Sequence, residues 1–173
     1  MIVEIKIMLL IFLLTAAVYM DIRYRRIPNL VTLPGIAVGL LLNAVQGWDP
    51  FVSALGGFLT GTALLFIPFA LGGMGAGDVK LLACIGAFFG VRFVLVTAIF
   101  MGLVGGVLAL FFMLKDGTLR MTCRRLIWMF AGMAGTHPLF RTETNPGKAG
   151  AFPYGIAIVI GCGIAGFYFY NNG

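Results

Sequence analysis

A chain of 173 residues with 61% hydrophobic and 10% charged side chains and a mean hydropathy of +1.05 stands far from a soluble domain, in which about 25% of residues are charged. That composition excludes an ordinary soluble enzyme and predicts an all-α polytopic membrane protein. The net charge of +6 reads as a topology signal with a lesser pull toward anionic lipid, so no nucleic-acid partner is expected.

Polar linkers are too short to separate two folding units, and no stretch is of low complexity, so residues 1–173 read as a single membrane domain. Cys84, Cys123 and Cys162 are isolated, without a C-x-x-C partner. No zinc site, disulfide framework or cofactor is expected from them.

A crossing helix needs about 20 apolar residues at about 1.5 Å each. The runs predict six spans: Ile5 to Met20, Leu30 to Val45, Phe51 to Leu71, Val79 to Val91, Phe93 to Leu114 and Ala151 to Tyr170. Gly90-Val91-Arg92 is the only break between the fourth and fifth, and the chain is expected to turn there. Glu4 and Lys6 make a poor basic leader and Ala16 to Met20 offers no small-x-small cleavage site, so the first run is expected to stay as a span rather than be removed as a signal peptide.

Of the 12 Lys and Arg residues only Lys6 and Arg92 fall outside one common face. The positive-inside rule makes that face cytoplasmic, with both termini outside an inner membrane. Arg23, Arg25 and Arg26 serve topology and lipid contact. Between Thr118 and Met133 the apolar residues Leu119, Cys123, Leu126, Ile127 and Phe130 recur at helical spacing opposite Arg120, Arg124 and Arg125. They predict a basic amphipathic helix on the inner membrane surface, or alternatively a solvated helix packed on the bundle. His137, beyond it, reads as an ordinary loop histidine.

Of the six acids, Glu4, Asp49, Asp116 and Glu143 lie where water reaches them. Asp21 ends the first span and Asp78 begins the fourth, so helix parity places both at the same leaflet. Counted inward from Lys6 and Arg92, each lies about 21 to 23 Å from the outer boundary, several Å inside a hydrocarbon core of about 30 Å. Ionisable groups at such depth mark relays, pathways or catalysis. The bland alternative is that Arg23 or Arg25 neutralises Asp21 and Lys80 neutralises Asp78. Two carboxylates sharing a proton divide into an acid and a base. Asp78, at a helix N-terminus, is expected to be the base that activates water, and Asp21, in a last turn, the acid that polarises the carbonyl. Gly72, Gly73, Gly75 and Gly77 are expected to supply unusual backbone angles and room for an extended peptide.

The stretch DIRYRRIPNLVTLPG from Asp21 to Gly35, followed by GMGAGDVKLLACIGAFFG from Gly73 to Gly90, resembles the type IV prepilin peptidases, aspartic membrane proteases of the G-x-G-D type. Ile27, Pro28, Asn29, Val31 and Thr32 match the segment after the first catalytic Asp; Gly75, Ala76, Gly77, Asp78, Val79 and Lys80 match that around the second. Pro153-Tyr154-Gly155 resembles the motif that opens the last helix. The resemblance implies that Asp21 and Asp78 cleave the basic leader of prepilins and pseudopilins at the cytoplasmic face, without metal or cofactor. Spans one and two are joined directly, without the C-x-x-C insertion that accompanies N-methylation in the large members, so the chain resembles the small peptidase-only members of Flp-type tight-adherence systems. Archaeal preflagellin peptidases are the nearest confusable relatives. A proton-relay membrane protein and a catalytically idle scaffold are the other readings. Lys80 either holds the charge of the pair or reaches to the interface, and Pro28 and Pro34 are expected to bend the start of span two. Oligomeric state is not legible.

Overall fold

The computed structural model describes residues 2–24, 27–70, 74–115 and 154–172. Among them are five helices: α1 (Ile2–Tyr24), α2 (Asn29–Gln46), α3 (Trp48–Ala70), α4 (Ala76–Lys115) and α5 (Tyr154–Asn172). The chain divides into two units, Met1–Gly105 with Pro153–Gly173, and Gly106–Phe152. Of the second unit only the end of α4 is described; the first unit holds the helix bundle. The amphipathic segment 118–133, His137, Gly72, Gly73 and Pro153 lie outside the described residues.

All five helices are long and apolar enough to cross a membrane. Their outward faces carry Met8, Phe12, Leu41, Val45, Ile99 and Phe167, all exposed, the inverse of a water-soluble surface and suited to lipid. The protein is an integral membrane protein.

The helices begin and end where local chemistry dictates. Pro28, extended at φ −72° and ψ 147°, precedes α2, and its carbonyl accepts the Val31 N–H at 3.1 Å. A proline there loses no helical donor that would otherwise be satisfied. Pro34 lies inside α2, and the helix continues through it. Gly47, at φ 132°, closes α2, and α3 starts one residue later at Trp48, earlier than the apolar run beginning at Phe51. Asp49 and Pro50 in the first turn favour that start.

The first half of α4 is the central element. Every residue from Leu81 to Phe88 is buried, as expected for a helix that is apolar all round. It runs alongside α2 in the same direction: Gly77 lies against Ile27, Gly35 against Cys84 and Gly39 against Phe88. The α3 helix runs the other way, with Gly61 against Ala83 and Gly57 backbone to backbone with Gly86. Small residues spaced four apart on α2 and α3 permit this close approach.

The helical path of α4 is interrupted at Gly90, with φ 81° and ψ −172°, and there the chain doubles back. Gly161 of α5 packs against Thr97 and Met101, a Cβ on Gly105 would lie 3.8 Å from Ala157, and Gly155 meets Asp21. Residues 78 and 105 therefore lie toward one end of the unit and Gly90 toward the other. The break falls where the sequence predicted a turn, but only one residue leaves helical geometry; Val91 and Arg92 are already helical.

Candidate active site

Asp21 sits in the last turn of α1 and Asp78 in the first turn of α4. The structure brings them to one end of the bundle, with Asp78 within electrostatic reach of Asp21.

Asp78 is only 8% exposed and is held by a reciprocal cap. Its backbone N–H donates to the Gly75 carbonyl at 3.1 Å, and the Gly75 N–H donates to its Oδ2 at 3.2 Å. This is one half of a capping box, in which a third-position carboxylate reaches back to the N–H of the N-cap residue; the other bond runs to the Gly75 backbone carbonyl because glycine has no side chain to accept it. One carboxylate oxygen is thereby fixed by the helix start.

Asp21 is half-buried, and its Oδ2 is buried without a hydrogen-bond partner among the described residues. That oxygen rests against the Gly155 backbone of α5, near enough to feel its N–H but short of hydrogen-bond geometry. Beside it, Tyr154 lies half-buried and within electrostatic reach of Asp78. A buried carboxylate oxygen left unpaired is costly, and such an atom marks a place where a substrate group or water fits.

No basic residue among those described offsets either charge. The Lys80 ammonium donates instead to Asn29 Oδ1 at 2.6 Å, tying the start of α4 to the start of α2. Arg23 lies over the Tyr24 ring at 5.9 Å, and Arg25 is outside the described residues. The neutralised-pair reading thus loses two of its three named partners.

The predicted support residues divide. Gly75 and Gly77 lie at the site, but positive φ occurs among the described residues only at Gly47 and Gly90, so unusual backbone angles are not what these two supply. A Cβ on Gly77 would come within 2.8 Å of Ile27, and one on Gly75 within 3.3 Å of Asp78 Oδ2. Both positions make room for neighbours already present. Pro28 and Asn29 start α2, and Asn29 is tied to the start of α4 by its hydrogen bond from Lys80.

Sequence reasoning singled out Pro153-Tyr154-Gly155 but not that Gly155 lies against Asp21 and Tyr154 within electrostatic reach of Asp78. It also treated Lys6 as a marker of the outer boundary. Lys6 is 6% exposed, its side chain enclosed by the helices.

Fold and site define an integral membrane protein of packed apolar helices with two carboxylates gathered at one end. Residues 8–110 match the sequence profile of the type IV leader peptidase family, more than half of the chain, and the protein belongs to that family. Curated relatives include the prepilin leader peptidase/N-methyltransferase of Aeromonas salmonicida (strain A449), 34% identical over 107 residues, 58% of this chain and 37% of the relative. That of Neisseria gonorrhoeae is 32% identical over 111 residues, 60% of this chain and 39% of the relative. The Aeromonas hydrophila protein is 33% identical over 105 residues, 57% and 36% of the two chains. The aligned region thus spans less than two fifths of these relatives' own length. No solved structure matches the chain significantly.

Proposed function

We propose that the protein is a membrane-embedded aspartic endopeptidase that removes the basic leader of Flp-type prepilins and pseudopilins at the cytoplasmic face of the inner membrane. The observation that carries this reading is the meeting of Asp21 and Asp78, the two motif aspartates, at one end of the bundle, with no basic partner among the described residues. Membership of the leader peptidase family supports the substrate class.

In the proposed reaction Asp78 takes a proton from a water molecule as its oxygen attacks the scissile carbonyl carbon, while Asp21 gives its proton to the carbonyl oxygen. The tetrahedral diol then collapses. As the C–N bond breaks, Asp78 passes its proton to the leaving amine and a diol hydroxyl returns its proton to Asp21, so the pair is left sharing one proton as at the start. The buried, unpaired Oδ2 of Asp21 is the atom suited to meet the carbonyl.

The reversal at Gly90 supports counting α4 as two crossings and the whole as six, with both termini outside and residues 1–173 acting as one peptidase domain. In this reading the direct link between α1 and α2 accompanies cleavage without N-methylation. The test is co-expression with a candidate Flp-type prepilin, following its mass. Wild type should remove the leader and add no methyl group to the new terminus, and Asp21→Asn and Asp78→Asn should each leave the prepilin intact while still inserting. Cleavage that survives either change would remove that aspartate from the mechanism.

A further inference from the structure

The end of the bundle away from the aspartates holds a second polar centre that peptide hydrolysis does not use. Lys6 of α1 is buried, and its Nζ donates to Asn43 Oδ1 at 2.7 Å. The Asn43 amide donates to the carbonyls of Gly39, Ala87 and Phe88 at 2.8, 3.0 and 3.1 Å, which fixes it beside the Gly90 break. An ammonium has three donors, and Asn43 is the one partner found for Lys6 among the described residues. Lys6 also lines a cavity of about 260 Å³, together with Gln46, Ser53 and the Gly90 backbone, and no carboxylate lies in its wall. A buried cation without a counter-charge is costly inside a membrane, and this cavity has room for one.

The cavity does not stand alone. Val3, Ser53 and Phe89 also belong to the wall of an apolar groove of about 1200 Å³ bordered by α1, α4 and α5. Along α1 the groove runs from Val3 to Thr15, about 18 Å at 1.5 Å per residue. That is close to one leaflet's half of a hydrocarbon core about 30 Å thick. Arg92, exposed, lines the groove two residues beyond Gly90 of the cavity wall, so the cavity carries one cation, Lys6, and the groove that joins it another. Gly163 and Gly166 open the groove further, since a Cβ at either would meet nothing within 4 Å.

We propose that this joined site holds one anionic phospholipid, its phosphodiester between Lys6 and Arg92 and its acyl chain in the groove. Charge selects the headgroup and groove length the chain. The lipid closes the seam between α1 and α5 and supplies the counter-charge that Lys6 lacks among the described residues. Neither aspartate takes part, so the inference stands apart from the proposed peptidase reaction.

The test uses the full chain in mild detergent, with phosphatidylglycerol or phosphatidylcholine added, and native mass spectrometry to count bound lipid. Phosphatidylglycerol should bind one to one and exceed phosphatidylcholine by about tenfold, with Lys6→Gln and Arg92→Gln each lowering its occupancy about fivefold. Gly163→Leu, which fills the groove without touching either cation, should lower it as well. Should Lys6→Gln fail to fold, Arg92→Gln and Gly163→Leu decide. Equal binding of the two lipids, or occupancy unchanged in those two variants, overturns the proposal. So does inorganic phosphate displacing the lipid while Gly163→Leu has no effect, which would make the site one for a free anion.

Discussion

The Gly155 backbone lies so close to Asp21 that a Cβ at position 155 would come within 2.7 Å of Oδ2 and 3.4 Å of Cγ. Real side chains do not approach at that distance, so Gly155→Ala must push the Asp21 carboxylate aside. A displacement of about 1 Å can cost about a hundredfold in rate. Leader cleavage should therefore fall by roughly 10- to 100-fold in Gly155→Ala, with insertion unchanged. Gly102→Ala, where an added Cβ meets nothing within 4 Å, serves as control and should cleave like wild type.

Replacing the aspartates separates chemistry from support. Asn at position 78 still offers an oxygen to the Gly75 N–H, whereas Ala does not. Both Asp78→Asn and Asp78→Ala should lose about 10²- to 10⁴-fold in cleavage. Only the alanine variant should also lose stability, by about 1 kcal/mol for the hydrogen bond to Gly75. Unfolding in detergent, run beside the cleavage assay, reads the difference. Equal stability of the two variants would show that the cap contributes nothing.

Much of this was legible in the sequence because membrane helices obey few rules. Apolar length and helix parity suffice to place Asp21 and Asp78 at one end, and Gly90 is the only plausible break in a run of nearly 40 residues. What pairing rules cannot give is the partner of a polar side chain on another helix. Lys6 and Asn43 are 37 positions apart, and nothing in either apolar run says that one faces the other. The same holds for Lys80, which stands two residues after Asp78 but whose hydrogen bond goes to Asn29. Glycine pattern was also a poor guide to glycine use: Gly77 yields space to Ile27, a contact between distant segments that sequence spacing does not encode.

The Lys80–Asn29 hydrogen bond ties together the two segments that carry the motifs, so its loss should loosen the site rather than remove a reacting group. Lys80→Met and Asn29→Ala should each reduce stability by about 1 kcal/mol, and the double variant should cost little more than either alone. Cleavage should fall in parallel in all three. If Lys80→Met alone abolished cleavage while Asn29→Ala did not, Lys80 would act on the aspartates directly and not through Asn29.

Gly90 tests the turn on which the arrangement of α4 depends. Its φ of 81° and ψ of −172° lie in a region that is nearly glycine-only, where another residue costs about 1 to 3 kcal/mol. A Cβ there would also collide with Ser53 Oγ and come within 3.3 Å of the Ser53 carbonyl. Two penalties are therefore stacked, one from the backbone and one from the neighbour. Gly90→Ala should lower stability by more than the backbone cost alone. Adding Ser53→Ala removes the collision with Oγ but leaves the dihedral strain, so the pair should recover part of the loss and remain about 1 to 3 kcal/mol below wild type. Full recovery in the pair would mean that the backbone at position 90 is not strained for alanine. No recovery would mean that the loss comes from the backbone alone. Thermal unfolding of the purified protein in one detergent, for wild type and the three variants, decides among these.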